Sequence, residues 1–281
     1  MRDGGWSGAP VPARRRLGWQ ALSFQWVMGG LAAAALVLLV APTVVVLIVS
    51  FTSGLSLRFP PPGLSLRWYA ALGDAWQLQF AAWNSLKIAT ATTLLSLLLG
   101  VAAALGIARS RRVSARVLDG LFMAPLILPA LAFGLAALML FTAVGLPVSP
   151  LTLTLGHTVV CVPFVVRNTV ASLQQLDPSL LEGSATLGAS RLYTWRRVVL
   201  PLVRPGILAG GFICFMASFD NIPVSLFLRD AATDMLPIRM WQDLEGKLDV
   251  TIAALSGVLI VLTVGAMLLM ERLAGLSRRI T

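Results

Sequence analysis

Charge is what this sequence has least of. Asp, Glu, Lys and Arg supply 12% of its 281 residues, about half the share in an average soluble domain. A surface that poor in charge cannot solvate a globule of this size, and the mean hydropathy of +0.84 points to lipid as the main solvent. Histidine occurs once, at His157, which leaves neither a metal-ligand cluster nor a paired base for a nucleophile. No Gly-x-Ser-x-Gly is present either, so an intramembrane hydrolase is disfavoured. Cysteine occurs twice, as Cys161 and Cys214 inside apolar runs, which reads as two buried, unpaired thiols rather than a disulfide framework. A phosphate-binding loop is also missing. The one Gly-Lys pair, Gly246-Lys247, is followed by Leu248, so the Ser or Thr that would hold magnesium is absent. No cofactor is expected.

What the chain does have is long uncharged stretches. Val27 to Phe51 runs 25 residues without a charge, enough to cross about 30 Å of hydrocarbon. It follows Arg14-Arg15-Arg16, but a cleaved signal carries only about 7–15 apolar residues, so an anchor is expected. Further runs are Ala81–Ala108, Leu121–Val144, Leu151 to about Leu173, Val198 to about Ile222, and Val250–Met270. Lys87 and Arg167 interrupt two of them near an end, where a long side chain can reach the interface.

The 22 Lys and Arg outnumber the 12 Asp and Glu. In a soluble protein that excess would suggest nucleic acid. Here no basic–aromatic patch or zinc spacing supports that, and the excess reads as topology. Placing the N-terminus in the cytoplasm puts 16 of the 22 cations on the inner side and 5 outside, with Lys87 at a span end. The expected fold is all-α, with six transmembrane helices and both termini cytoplasmic. Residues 1–26 form an N-terminal tail, 27–271 the membrane domain with an inner loop at 174–197, and 272–281 a C-terminal tail. Residues 52–80 are expected to carry a short surface helix around Trp68-Tyr69, and 223–249 to form an outer loop. Gly206-x-x-x-Gly210 suits close helix packing.

The inner loop holds the most informative chemistry. Asp177-Pro178 is a helix start, with a capping carboxylate and a Pro that needs no N–H. Leu180, Leu181, Ser184 and Leu187 fall on one face, Gly188 can take a left-handed turn, and Ser190 can cap a second short helix. The result is a helix–Gly–helix elbow joined without slack to the fifth span. Within it Glu182 is followed by Gly188, Val198, Leu200 and Pro201, at plus six, sixteen, eighteen and nineteen.

That spacing resembles the coupling motif of permease subunits in binding-protein-dependent ABC importers: Glu-Ala-Ala, three residues, Gly, nine residues, Ile-x-Leu-Pro. Gly183 and Ser184 stand where the motif has its two alanines. Asn84-Ser85-Leu86-Lys87, Ala124-Pro125 to Pro129, Val162-Pro163-Phe164, Ser218 to Asn221 and Leu236-Pro237-Ile238 extend the resemblance. From about residue 25 onward, it is closest to the second permease subunit of spermidine/putrescine-type importers.

The resemblance implies an ATPase-coupling surface formed by Glu182, Gly183, Ser184, Ala185, Leu187, Gly188, Leu200 and Pro201. It also implies three partners: an ABC ATPase subunit, a second homologous permease and a periplasmic solute-binding protein. Asp220 and Asn221 are candidate substrate-path residues, because an acid near a span end avoids lipid and suits a cationic solute such as a polyamine. Other nitrogen-containing or phosphonate solutes remain open, and so does a secondary transporter, although the elbow would then have no purpose.

Overall fold

In a computed structural model, the described residues are 19–109, 113–230, 232–247 and 250–274. Arg2, Arg14 to Arg16, Arg111, Arg112, Asp249, Arg278 and Arg279, all counted above, lie outside them. Twelve helices are described: α1 (Trp19–Ser50), α2 (Arg67–Ala71), α3 (Trp76–Arg109), α4 (Val113–Ile127), α5 (Ala130–Ala143), α6 (Pro150–Gln174), α7 (Pro178–Thr186), α8 (Arg191–Thr194), α9 (Leu200–Phe219), α10 (Ile222–Leu228), α11 (Leu236–Lys247) and α12 (Thr251–Ala274). A single turn of π-helix, Trp195–Val199, joins α8 to α9.

Five helical stretches are long and apolar enough to cross a membrane, and α4 with α5 forms a bent sixth. The expected edges shift. α1 begins at Trp19, inside the supposed tail, and α12 continues to Ala274. α3 begins at Trp76, so the exposed Lys87 stands along the helix and not at its end.

The rigid centre is the trio α3, α6 and α9. In lipid, apolar side chains gain little from one another, and close approach of backbones at small residues does the holding. A Cβ on Gly206 would fall 1.9 Å from Ser172 Oγ and 2.7 Å from the Asn168 carbonyl, and one on Gly210 would fall 3.0 Å from Val165 Cα. On α3, a Cβ at Gly100 would meet Val165 at 2.8 Å. The Gly206–Gly210 pair therefore seats α9 directly on α6.

The third span departs from the straight helix expected over Leu121–Val144. α4 and α5 meet at 105°. The cause is local. Pro129 has no N–H to continue the ladder and pushes Leu128 out of helical dihedrals. The two halves pack at opposite ends of the bundle. Met123 of α4 sits with Ala104, Val166 and Val170, where α3 and α6 approach the elbow. Ala137 of α5 sits with Leu153, Val224 and Leu228 at the far end.

The expected outer loop at 223–249 is also corrected, because it contains α10 and α11. α10 is a wedge, with Val224 and Leu228 fully buried. A Cβ at Gly134 of α5 would lie 2.9 Å from the Pro223 carbonyl, and one at Gly156 of α6 would lie 2.4 Å from Leu228 Cδ1. α2 packs on α12, where the Tyr69 hydroxyl meets Ser50 Oγ at 2.7 Å. In α1, Val49 and Ser50 are buried there, Val45 to Leu47 are half-buried, and Phe24 to Val44 are exposed. α1 starts and α12 finishes at the elbow end.

Candidate functional site

The elbow is built by local capping. Asp177 Oδ1 accepts the Ser179 N–H at 2.9 Å, which holds the carboxyl below the usual carboxylate range, and Pro178 opens α7. At the other end, the Gly188 N–H bonds the Ala185 carbonyl and the Ala189 N–H the Ser184 carbonyl, at 2.9 and 3.1 Å. This double closure requires a left-handed residue, and Gly188 has φ +75°. Ser190 then accepts the Tyr193 N–H at 3.2 Å to start α8. Ser184 Oγ and Thr194 Oγ1, 2.7 Å apart, tie the two short helices together.

The chain continues from α8 into α9 without a break. Pro201 cannot donate to the carbonyl four residues back and crowds it. The ladder widens there by one residue, with the Leu200 N–H reaching the Trp195 carbonyl, as in π-turns generally. Any movement of α7 is thus delivered to a stiff rod.

The predicted coupling residues are gathered on this elbow. Glu182, Gly183, Ala185, Leu187 and Gly188 are exposed, as is Pro201, while Ser184 is half-buried. Leu187 is 88% exposed, and its neighbours Leu180 and Leu181 are exposed as well. The expected single face divides in two. Leu181 and Ala185 line a cleft of about 640 Å³ against the ends of α3 and α6. Leu180, Ser184 and Leu187 line a second, of about 660 Å³, on the other side. Leu200 lines neither.

At the far end the two path candidates separate. Asp220 is the C-cap of α9 and lines a cleft of about 320 Å³ with Met216, Phe219, Met240 and Thr263. Asn221 is turned to structure, its Oδ1 accepting the Val224 N–H at 3.0 Å to cap α10. Of the other described acids nearby, Asp230 has an Oδ1 buried without a hydrogen-bond partner, and two are paired. Asp234 pairs with Arg229 at 2.9 Å and Asp243 with Arg239 at 3.2 Å. Arg239 also donates to Gln77 Oε1.

Two groups had no assigned place in the sequence reading of the site. Ser85 of α3 accepts the Leu236 N–H at 2.9 Å, and Asn84 donates to the carbonyls of Ala232 and Asp234, both at 3.3 Å, so α3 holds the start of α11. His157 bridges Ser218 and Ser225 at 2.9 Å each. Cys161 and Cys214 are free and buried. Among the described residues, no group of three His, Cys, Asp or Glu could hold a metal ion.

The described chain is thus a set of membrane-length helices with an exposed elbow joined to one of them. Residues 96–279 match the family described as "Binding-protein-dependent transport system inner membrane component". The chain belongs to that family. As an inner membrane component it is a transport subunit and not an enzyme, and in these systems ATP is hydrolysed by a separate subunit.

Among its relatives is the spermidine/putrescine transport system permease protein PotC of Escherichia coli K12, 28% identical over 237 residues, covering 84% of this chain and 89% of that protein. The putrescine transport system permease protein PotI of the same strain is 30% identical over 227 residues, 78% of this chain and 80% of PotI. The molybdenum transport system permease protein ModB of Mycobacterium bovis is 32% identical over 208 residues, 67% of this chain and 79% of ModB. A chain of a bacterial ABC transporter for the acidic polysaccharide alginate superposes with a TM-score of 0.68 at 14% identity, covering 94% of this inner membrane component and 99% of that chain. At that identity the likeness shows the fold alone.

Proposed function

We propose that this subunit forms half of the translocation path for a polyamine and is driven through its elbow by an ABC ATPase. The other half comes from a second homologous permease, and the solute is delivered by a periplasmic binding protein. The observation that carries this reading is the elbow itself. A double-capped turn at Gly188 leaves Glu182 and Leu187 exposed on a helix whose motion passes directly into α9. Glu182 and the exposed faces of Gly183, Ser184, Ala185 and Leu187 contact the ATPase. Gly188 sets the bend, and Leu200 and Pro201 join the elbow to α9. The elbow and both chain ends are cytoplasmic, a reading supported by 16 of 22 cations lying on that side and by α1 and α12 sharing the elbow end.

Asp220 is the substrate-facing residue of the proposed path, and Asn221 contributes through the α10 cap. A carboxylate beside Phe219 and two methionines suits an extended organic cation, combining ion pairing with apolar contact. The similarity to PotC and PotI supports the same class. Similarity to ModB favours a second reading, an oxyanion. Asp220 argues against it, because no cationic side chain lines that cleft.

The test is uptake by vesicles holding the complete transporter, with labelled spermidine, putrescine and molybdate offered in turn. ATP-dependent polyamine uptake that survives a proton ionophore supports the proposal. Uptake of molybdate alone refutes the polyamine assignment, and uptake lost with the ionophore refutes the ATP-driven mechanism. Glu182→Arg should release the ATPase from the purified complex. Full retention of the ATPase would remove Glu182 from the contact.

A further inference from the structure

The transport reading needs the elbow's stroke to arrive at the far end of the membrane, and the chain has a weak joint on that route. α9 stops at Phe219, and only Asp220 and Asn221 separate it from α10. Neither residue is helical, so the covalent link alone does not hold α10 to the line of α9. α10 is instead wedged between α5 and α6, by way of Gly134 and Gly156. Without a further tie, α9 could turn while α10 stayed behind.

His157 supplies that tie. It lies on α6, is fully buried, and reaches both sides of the joint at once. Nδ1 is 2.9 Å from Ser218 Oγ on α9, and Nε2 is 2.9 Å from Ser225 Oγ on α10. A neutral imidazole donates through one nitrogen and accepts through the other. Each serine hydroxyl can do either, so both bonds form with either tautomer. All three polar groups are buried in a membrane protein, where an unmatched partner is expensive, so breaking one bond strands the rest of the set. The ring is also rigid, and its two nitrogens fix the spacing between the serines.

We propose that His157 is a positioning residue for transport: it pins α10 to the α6–α9 pair, so that the far-end wedge follows the elbow-driven core as one body. This inference rests on the transport reading above and adds to it a residue that touches neither solute nor ATPase. Loss of the pin uncouples. ATP is still hydrolysed, because the elbow and α9 are intact, but the far end lags and fewer solute molecules cross per ATP.

The experiment measures uptake and ATP hydrolysis together in vesicles containing the complete transporter, using whichever of spermidine, putrescine or molybdate the wild type takes up. His157→Ala should leave ATP hydrolysis within about twofold of wild type while lowering solute transported per ATP by roughly tenfold. Ser225→Ala removes one arm with almost no change in volume and should give an intermediate loss. Ser225→Ala added to His157→Ala should cost little more. If His157→Ala does not assemble, Ser225→Ala decides the matter by the same ratio. An unchanged ratio in the assembled variants overturns the proposal, and so does a parallel fall in uptake and hydrolysis, which marks a general packing role. A wild type with no ATP-driven uptake would refute the transport reading directly and would take this proposal down with it.

Discussion

Replacing Gly206 with alanine tests whether α9 is seated on α6 as tightly as its backbone contacts imply. The added methyl carbon would stand 1.9 Å from Ser172 Oγ, 2.8 Å from Ser172 Cβ and 2.7 Å from the Asn168 carbonyl. A serine hydroxyl can rotate away, but a helix carbonyl cannot. Ordinary contact begins near 3.4 Å, so the two helices must separate by several tenths of an ångström along the seam. Overpacking of that kind costs about 1–3 kcal/mol. Over most of that range it outweighs the helix propensity gained on leaving glycine, about 1 kcal/mol at most. At about 2–4 °C per kcal/mol for a chain of this size, the midpoint for melting of the assembled transporter should fall by several degrees. Gly265→Ala is the control: it lies in α12 with nothing within 4 Å of the new carbon, so it should melt at or slightly above wild type. Adding Ser172→Gly to Gly206→Ala should restore only part of the loss, because the Asn168 carbonyl remains. If Gly206→Ala melts no lower than Gly265→Ala, the close seam between α6 and α9 is wrong.

Asp220→Asn should slow solute uptake severalfold while the ATPase remains bound and active, and unchanged uptake kinetics would remove Asp220 from the path. The Asp177 cap has a lowered carboxyl pKa, so its contribution is complete above the ordinary Asp value of about 3.9 and disappears only as pH falls through the lower folded value. ATPase retention should therefore be flat from pH 8 to 5 in wild type. A loss at pH 6 that Asp177→Asn abolishes would contradict the capping account. Ser184→Ala and Thr194→Ala each remove the 2.7 Å bond between α7 and α8. Melting of the two single variants and the double should show them non-additive by about 0.5–1.5 kcal/mol, and strict additivity would mean that the bond does not form.

Length and apolarity were enough to read the membrane helices, because a run of about 20 uncharged residues has few other fates. They were blind to direction. Leu121–Val144 stays apolar straight through the 105° bend at Pro129, and hydropathy cannot register a turn made by a missing N–H. α10 was missed for a related reason: seven residues, six of them apolar, are too few to count as a span and carry no charge pattern to mark a surface helix. Its signals are Asn221 as cap and Pro223 in the first turn. The elbow was legible because its chemistry is local. Asp177, Pro178, Gly188 and Ser190 each act on neighbours within a few positions. His157 with Ser218 and Ser225 was not, since those contacts span 61 and 68 positions and only the folded packing brings them together.

The bareness of α1 has a consequence for how the chain tolerates change. From Phe24 to Val44 every residue is exposed, and burial is confined to the final turn near Ser50. Nothing in the bundle inspects the letters of that stretch, so it can drift among apolar residues, and an engineer could exchange it for another anchor of equal length. The anchoring condition is narrow: Ser50 must still arrive opposite Tyr69 and Gly257. A fluorescent or affinity handle placed ahead of this helix should disturb the bundle less than one inserted at any of its joints.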